Sequence, residues 1–203
     1  MGVMRISHIN IRVLDMEASV KHYVNVIGMK VVHTDTAGNV YLKCWDEWDK
    51  YSVILTEADI AGVINLGYKV ESNADLDEFK RRITQYGVVV EDIAEGGLPF
   101  VGRVLKFNIP SGHEMYLYAE KEYVGTEVGA VNPEPWPDGL QGAGVHWLDH
   151  ALLMSEFDLG NGDNKVEEKD RKSTRQNSSH DQISYAVFCL KKNTIRLMTD
   201  HMP

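Results

Sequence analysis

Two histidines stand at comparable places along this chain. His8 opens the run His8-Ile-Asn-Ile-Arg-Val-Leu-Asp15 and His150 opens His150-Ala-Leu-Leu-Met-Ser-Glu-Phe-Asp158, each a largely apolar stretch with an Asp seven or eight positions on. A neutral imidazole on a strand is a good ligand for a transition metal. A lone strand histidine is, however, more often a structural residue whose ring is satisfied by hydrogen bonds. His146 and His150 are spaced i, i+4, which matches a zinc pair only on a helix. On a strand they share a face about 13 Å apart, too far for one ion.

These side chains need elements to position them. Arg5 to Val13 alternates, with Ile6, His8, Asn10 and Arg12 on one face and Ser7, Ile9, Ile11 and Val13 on the other, as in a half-buried strand. Asp15 can cap a helix whose Met16, Val20, Tyr23, Val24 and Ile27 form one apolar side, with Gly28 closing it in the left-handed conformation. Strands are expected at Met29 to Thr34, Val40 to Trp45 and Tyr51 to Thr56. The order then repeats: a strand from Ile64 to Glu71, a helix opened by Asp75-Leu-Asp-Glu78, Gly87, and strands at Val88 to Ile93, Arg103 to Ile109 and Glu114 to Ala119. Residues 5–119 therefore read as two βαβββ units. Gly and Pro dominate from Glu120 to Gly144, and Asn132-Pro-Glu-Pro-Trp-Pro137 cannot continue a central strand or helix. Val145 to Met154 reads as a new strand with His146, Leu148, His150 and Leu152 on one face.

Composition narrows the possible functions. The chain has 203 residues, 43% of them hydrophobic, enough for a sizeable core. A formal charge of −9 disfavours a nucleic-acid partner, which would demand excess Lys and Arg. Cys44 and Cys189 lie far apart with no second cysteine nearby, so neither a disulfide framework nor a thiolate zinc site is expected. The start lacks the basic and apolar runs of a secretion signal and no stretch has the length of a membrane span, so a cytoplasmic protein is expected.

From about Val3 to Phe157 the chain resembles the catechol 2,3-dioxygenases, extradiol ring-cleaving enzymes of the vicinal oxygen chelate superfamily. The resemblance rests on several separated blocks in order: His8 with Arg12-Val-Leu-Asp-Met16, Val40-Tyr-Leu-Lys43, Pro110-Ser-Gly-His113, Lys121-Glu-Tyr123, Val131-Asn-Pro-Glu134 with Trp136-Pro137, and Asp149-His-Ala-Leu152. It implies an α+β fold in which paired βαβββ modules form an open barrel, followed by a second domain. It implies a metal-free N-terminal domain over residues 3–120, a linker over 121–144, and at 145–157 the first strand of a catalytic domain that binds Fe(II) through two His and one Glu. His150 stands where the first of those ligands is found. The family's second His, its Glu and its acid/base His and Tyr lie beyond the extent of the resemblance, so this chain is expected to be truncated and inactive as written. The implied partners are a small aromatic diol and O₂, within a homo-oligomer and without nucleic acid or membrane.

For His8 the structural reading prevails, because a site in that domain needs a carboxylate on its last strand and Tyr116 stands there. Glu114 and His113 are expected beside the turn, and Tyr116, Tyr118 and Trp45 in the core. Two other readings remain: a glyoxalase-like vicinal oxygen chelate enzyme with its site in residues 5–119, and a metal-free module that holds a small aromatic compound in the barrel.

After Phe157 the pattern stops. Asp158 to Asn164 is turn-like and Lys165 to Arg175 is nearly all polar, so no core-forming face can be drawn. Residues 170–180, and then Ile183 to Lys192, resemble the conceptual translation of a sequencing-library adapter running into adenines, with Asp181-Gln182 in the place of the index. Residues 158–203 are accordingly expected to be a non-native or disordered tail, in which His180, Cys189 and His201 carry no biological meaning.

Overall fold

The structure is a computed structural model that describes residues 2–126, 137–153 and the backbone of 187–191. Both βαβββ units are present in it. The first comprises β1 (Val3–Val13), α1 (Met16–His22) continuing into a π-helical turn (Tyr23–Ile27), β2 (Lys30–Thr34), β3 (Val40–Lys43) and β4 (Val53–Glu57). The second comprises β5 (Gly62–Val70), α2 (Asn73–Gln85), β6 (Val90–Ile93), β7 (Val104–Asn108) and β8 (Glu114–Tyr118).

Local chemistry sets the helix boundaries. The Asp15 carboxylate accepts from the Ala18 amide at 2.9 Å, which satisfies one of the unpaired donors at the start of α1. At the other end Gly28 takes φ 90°, and its amide and that of Met29 both donate to the Tyr23 carbonyl. Helix α2 begins earlier than the Asp75 expected from sequence. Ser72 is its N-cap, the hydroxyl accepting from the Asp75 amide at 3.2 Å, so Asp75 lies inside the first turn, where it complements the helix dipole.

The strands form one sheet in the order β2-β3-β4-β1-β5-β8-β7-β6. Each unit joins its first strand to its last in parallel, and the two units meet through the antiparallel pair β1 and β5. The sheet is open, but it curls. Side chains of β2, β3, β4, β6, β7 and β8, from Val32 to Tyr118, meet in a single cluster, and His33 at one edge lies edge-on to Phe100, ring centroids 4.8 Å apart. The convex side divides: Leu76, Phe79 and Ile83 of α2 cover one half, and the apolar side of α1 covers the other.

One departure from simple alternation occurs in β1. A register shift between Ile6 and His8 in the pairing with β5 places Ile6 with Ile9, Ile11 and Val13 in the outer cluster, although a strict period of two would put it on the His8 face.

Beyond the barrel, Lys121 and Tyr123 bridge to Val101 and Asp49, so the start of the expected linker is hydrogen-bonded to the domain. Residues 127–136 lie outside the described residues. The chain re-enters over the end of α1, where the Ala143 amide donates to the Val26 carbonyl at 2.8 Å. Gly142, at φ 57°, comes so close that a Cβ there would collide with the Val26 carbonyl. Strand β9 (Trp147–Leu152) follows, with β10 (Val187–Lys191) antiparallel to it. The rest of the tail expected at 158–203 lies outside the described residues.

Candidate functional site

The concave side of the sheet is where a barrel of this type could do chemistry, and here its centre is filled by a connected polar and aromatic cluster. His8 projects into it from β1 and is 1% exposed. Its ring stacks on Tyr118 at 5.7 Å and 10° and lies near Tyr51 and Tyr116. Space for the ring comes from Gly67, its partner on β5: a Cβ there would collide with the imidazole.

Both nitrogens of His8 are committed. Nε2 donates to Asn65 Oδ1 at 3.0 Å and Nδ1 accepts from the Tyr118 hydroxyl at 2.7 Å, which fixes the neutral Nε2–H tautomer. The Asn65 amide in turn donates toward Glu114 at 3.5 Å. Burial first, then the nearby Lys121 ammonium, pull the imidazole pKa down to about 3.

Lys121 has the role least expected from sequence. Its Nζ donates to the Tyr51 carbonyl at 2.6 Å and the Ser7 carbonyl at 3.2 Å, and lies 3.6 Å from the centre of the Tyr51 ring. Burial lowers its pKa to about 7 against the opposing fields of Asp49 and Glu47. Asp49, itself buried, is paired with Lys69 at 2.8 Å and Arg5 at 2.9 Å. A basic residue next to an acidic loop reads in sequence as a surface charge; only the closure of the barrel over it makes it internal.

This interior does not fit a metal. The one lone pair of the His8 imidazole, on Nδ1, is engaged by the Tyr118 hydroxyl, its other neighbours are an amide and tyrosines, and an ammonium already supplies positive charge nearby. The glyoxalase-like reading needs inner-face acids around His8, and the β8 position facing it is Tyr116, as expected. Tyr116, Tyr118 and Trp45 are all buried, as read from sequence.

His150 lies elsewhere, on β9, with its side chain 60% exposed and its Nδ1 3.0 Å from the Asp149 carboxylate. His146 is buried against Trp45, ring centroids 4.4 Å apart, so the two histidines do not share the face that alternation predicts. Among the described residues no group of three His, Cys, Asp or Glu side chains could hold a metal ion. His150 is thus one exposed imidazole, which by itself does not fit an Fe(II) site.

The β9 segment is seated on the barrel. The Leu148 amide donates to Glu47 Oε1 at 2.9 Å, the Asp46 amide to the His146 carbonyl at 3.3 Å, and Trp45 Nε1 to the Gly144 carbonyl at 3.2 Å. Val145 and Leu148 are buried in the same cluster as Ile9, Leu42 and Leu55.

The comparisons with known proteins agree with this architecture. Residues 65–122 match the family described as the catechol 2,3-dioxygenase-like N-terminal domain. The chain is 41% identical over 156 residues to a metapyrocatechase of Pseudomonas sp. (strain CF600), covering 76% of this chain and 51% of that protein. It is 23% identical over 121 residues to a manganese-dependent 2,3-dihydroxybiphenyl 1,2-dioxygenase of Geobacillus genomosp. 3, covering 59% of this chain and 38% of the relative. The 2,3-dioxygenase LapB from Pseudomonas sp. KL28 superposes with a TM-score of 0.72 at 38% identity, over 77% of this chain and 55% of that one. The chain spans about half the length of the curated metapyrocatechase it matches. Over residues 65–122 the chain is thus similar to the catechol 2,3-dioxygenase-like N-terminal domain, and more widely it is similar in sequence to a metapyrocatechase and in its vicinal oxygen chelate fold to a 2,3-dioxygenase.

Proposed function

We propose that the protein to which residues 3–157 belong opens catechol-type rings beside the diol with O₂, and that His150 supplies the first imidazole of its metal centre. The observation that carries this reading is the 41% identity to a metapyrocatechase over three quarters of the chain. Fe(II) is the proposed metal, since a His and carboxylate set suits it and leaves open positions for diol and O₂; manganese is the specific competitor, because one relative is named for it. The metal's further ligands are assigned to sequence outside the described residues, and no chemical step is derived from His150 alone.

In this reading residues 3–120 act as a filled scaffold. Their contribution is to bury the His8, Asn65 and Tyr118 cluster and to present β9. The remaining assignments are a cytoplasmic setting, supported by the acidic, cysteine-poor composition, and a homo-oligomer with a small aromatic diol and O₂ as its only reaction partners. Among the described residues no helix is long and apolar enough to cross a membrane.

The test is expression of two polypeptides with ferrous or manganous salt and catechol under air. A gene continued past codon 157 to the length of the relatives is expected to give a yellow ring-opened product, and His150→Ala in it to abolish the product and metal retention. The 203-residue chain is expected to give none. Absence of product from the longer protein with both metals, or an active His150→Ala variant, would overturn the reading.

A further inference from the structure

Glu47 is a side chain of the filled barrel that bonds directly to the strand carrying His150. Both of its carboxylate oxygens are used. Oε2 accepts from the Cys44 amide and from the Ser52 hydroxyl, each at 2.7 Å, which ties it to the ends of β3 and β4. Oε1 reaches across and accepts from the Leu148 amide at 2.9 Å, two residues before His150.

The surroundings make this tether specific. A cavity of about 300 Å³ lies along the seam, lined by Ser7, Glu47, Tyr51, Ser52, Trp147 and Leu148 among others. The seam is therefore not closely packed throughout: Val145 and Leu148 pack into the apolar cluster, and discrete bonds bridge the rest. Of those named above, the bond from Leu148 is the one nearest His150 in sequence and the one that reaches into β9 itself. Burial raises the pKa of the Glu47 carboxyl, while the amides of Leu148 and Cys44, the Ser52 hydroxyl and the field of Lys121 favour its charged form. The internal ammonium thus supports the carboxylate that holds the strand.

We infer that Glu47 is a positioning residue: its carboxylate, braced by Cys44 and Ser52, fixes the place of β9 on the N-terminal unit and through β9 sets the location of the His150 backbone. The use of that placement in catalysis rests on the function proposed above; the placement itself does not. In that reading the N-terminal unit acquires a task at the active centre without touching metal or substrate.

Amide hydrogen exchange on the 203-residue chain tests the inference. Loss of one buried acceptor costs about 1–3 kcal/mol, so Glu47→Ala is expected to speed exchange at Leu148 by roughly ten- to a hundredfold, with Ile9 and Leu66 in the central strands unchanged. Glu47→Gln keeps an acceptor oxygen for Leu148 and is expected to restore most of the protection. Ser52→Ala is a gentler variant that serves if Glu47→Ala does not fold, and it should raise exchange at Leu148 alone. Unchanged protection of Leu148 in Glu47→Ala or Ser52→Ala, or equal loss at Leu148, Ile9 and Leu66, would overturn the inference. In the longer protein Glu47→Ala should lower kcat about tenfold at unchanged KM for catechol, as loss of a supporting partner does. If the longer protein proves inactive while the exchange result holds, the proposed function fails and the tether stands.

Discussion

His8 shows how one residue type can keep its place while losing its chemistry. Its imidazole is held neutral, one nitrogen donating to Asn65 and the other accepting from Tyr118. In the unfolded chain the same ring takes a proton near pH 6.5, whereas in the folded chain it resists down to about 3. The unfolded state therefore binds more protons across that interval. The stability His8 contributes is complete above about pH 6.5 and is lost as pH falls toward 3, at up to about 1.4 kcal/mol per pH unit. Urea midpoints measured from about pH 7 to about pH 4 should fall less steeply in His8→Gln than in the parent; equal slopes would mean that His8 is not held neutral by burial. The sequence identified His8 as structural from the type of residue at Tyr116. It gave no sign of Lys121, because burial of an ammonium depends on carbonyls at Ser7 and Tyr51, which are distant in sequence.

At the scale of elements, periodicity was a good guide wherever an element has one solvated face. The apolar stripe of α1, the left-handed Gly28 and all eight barrel strands lie where the pattern puts them, within a few residues. The misses have local causes. Strand β3 stops at Lys43, two residues before the expected Trp45, because the Cys44 amide turns to the Glu47 carboxylate and leaves the ladder. Ile6 changes faces because a bulge interrupts β1, and α2 starts earlier because Ser72 outcompetes Asp75 as its cap. Strand β5 contains a position whose requirement is spatial. Gly67 leaves room for the His8 ring, so Gly67→Ala should displace the imidazole and destabilise the fold by about 1–3 kcal/mol, the usual cost of overpacking. A denaturation midpoint matching the parent's would show that the ring can move aside freely.

For the molecule as a whole, the eight barrel strands form one curled sheet with β9 docked on its convex side, and hydrogen bonds and apolar packing from the N-terminal unit hold β9 and the segment leading into it. These contacts come from the N-terminal unit and not from β10. Removal of residues 158–203 is therefore expected to leave the thermal midpoint and the near-ultraviolet circular dichroism of the remaining chain unchanged. A clear loss of stability would give the tail a structural role and count against its proposed non-native origin. The DNA across codons 155–193 provides the direct check, with a clean junction into adapter sequence as the expected result.

The sequence by itself determined the α+β class, the doubled βαβββ order and the relation to extradiol dioxygenases. Each depends on residue order and local preference: alternation, caps, turn glycines and blocks of shared residues. Only the tertiary structure decided which polar groups are internal. The neutral tautomer of His8, the burial of Lys121, the separation of His146 from His150 and the reach of Glu47 to Leu148 all depend on which distant segments the curled sheet brings together. A charged or imidazole side chain has no intrinsic preference that would reveal this, because its state is set by the partners that replace water around it.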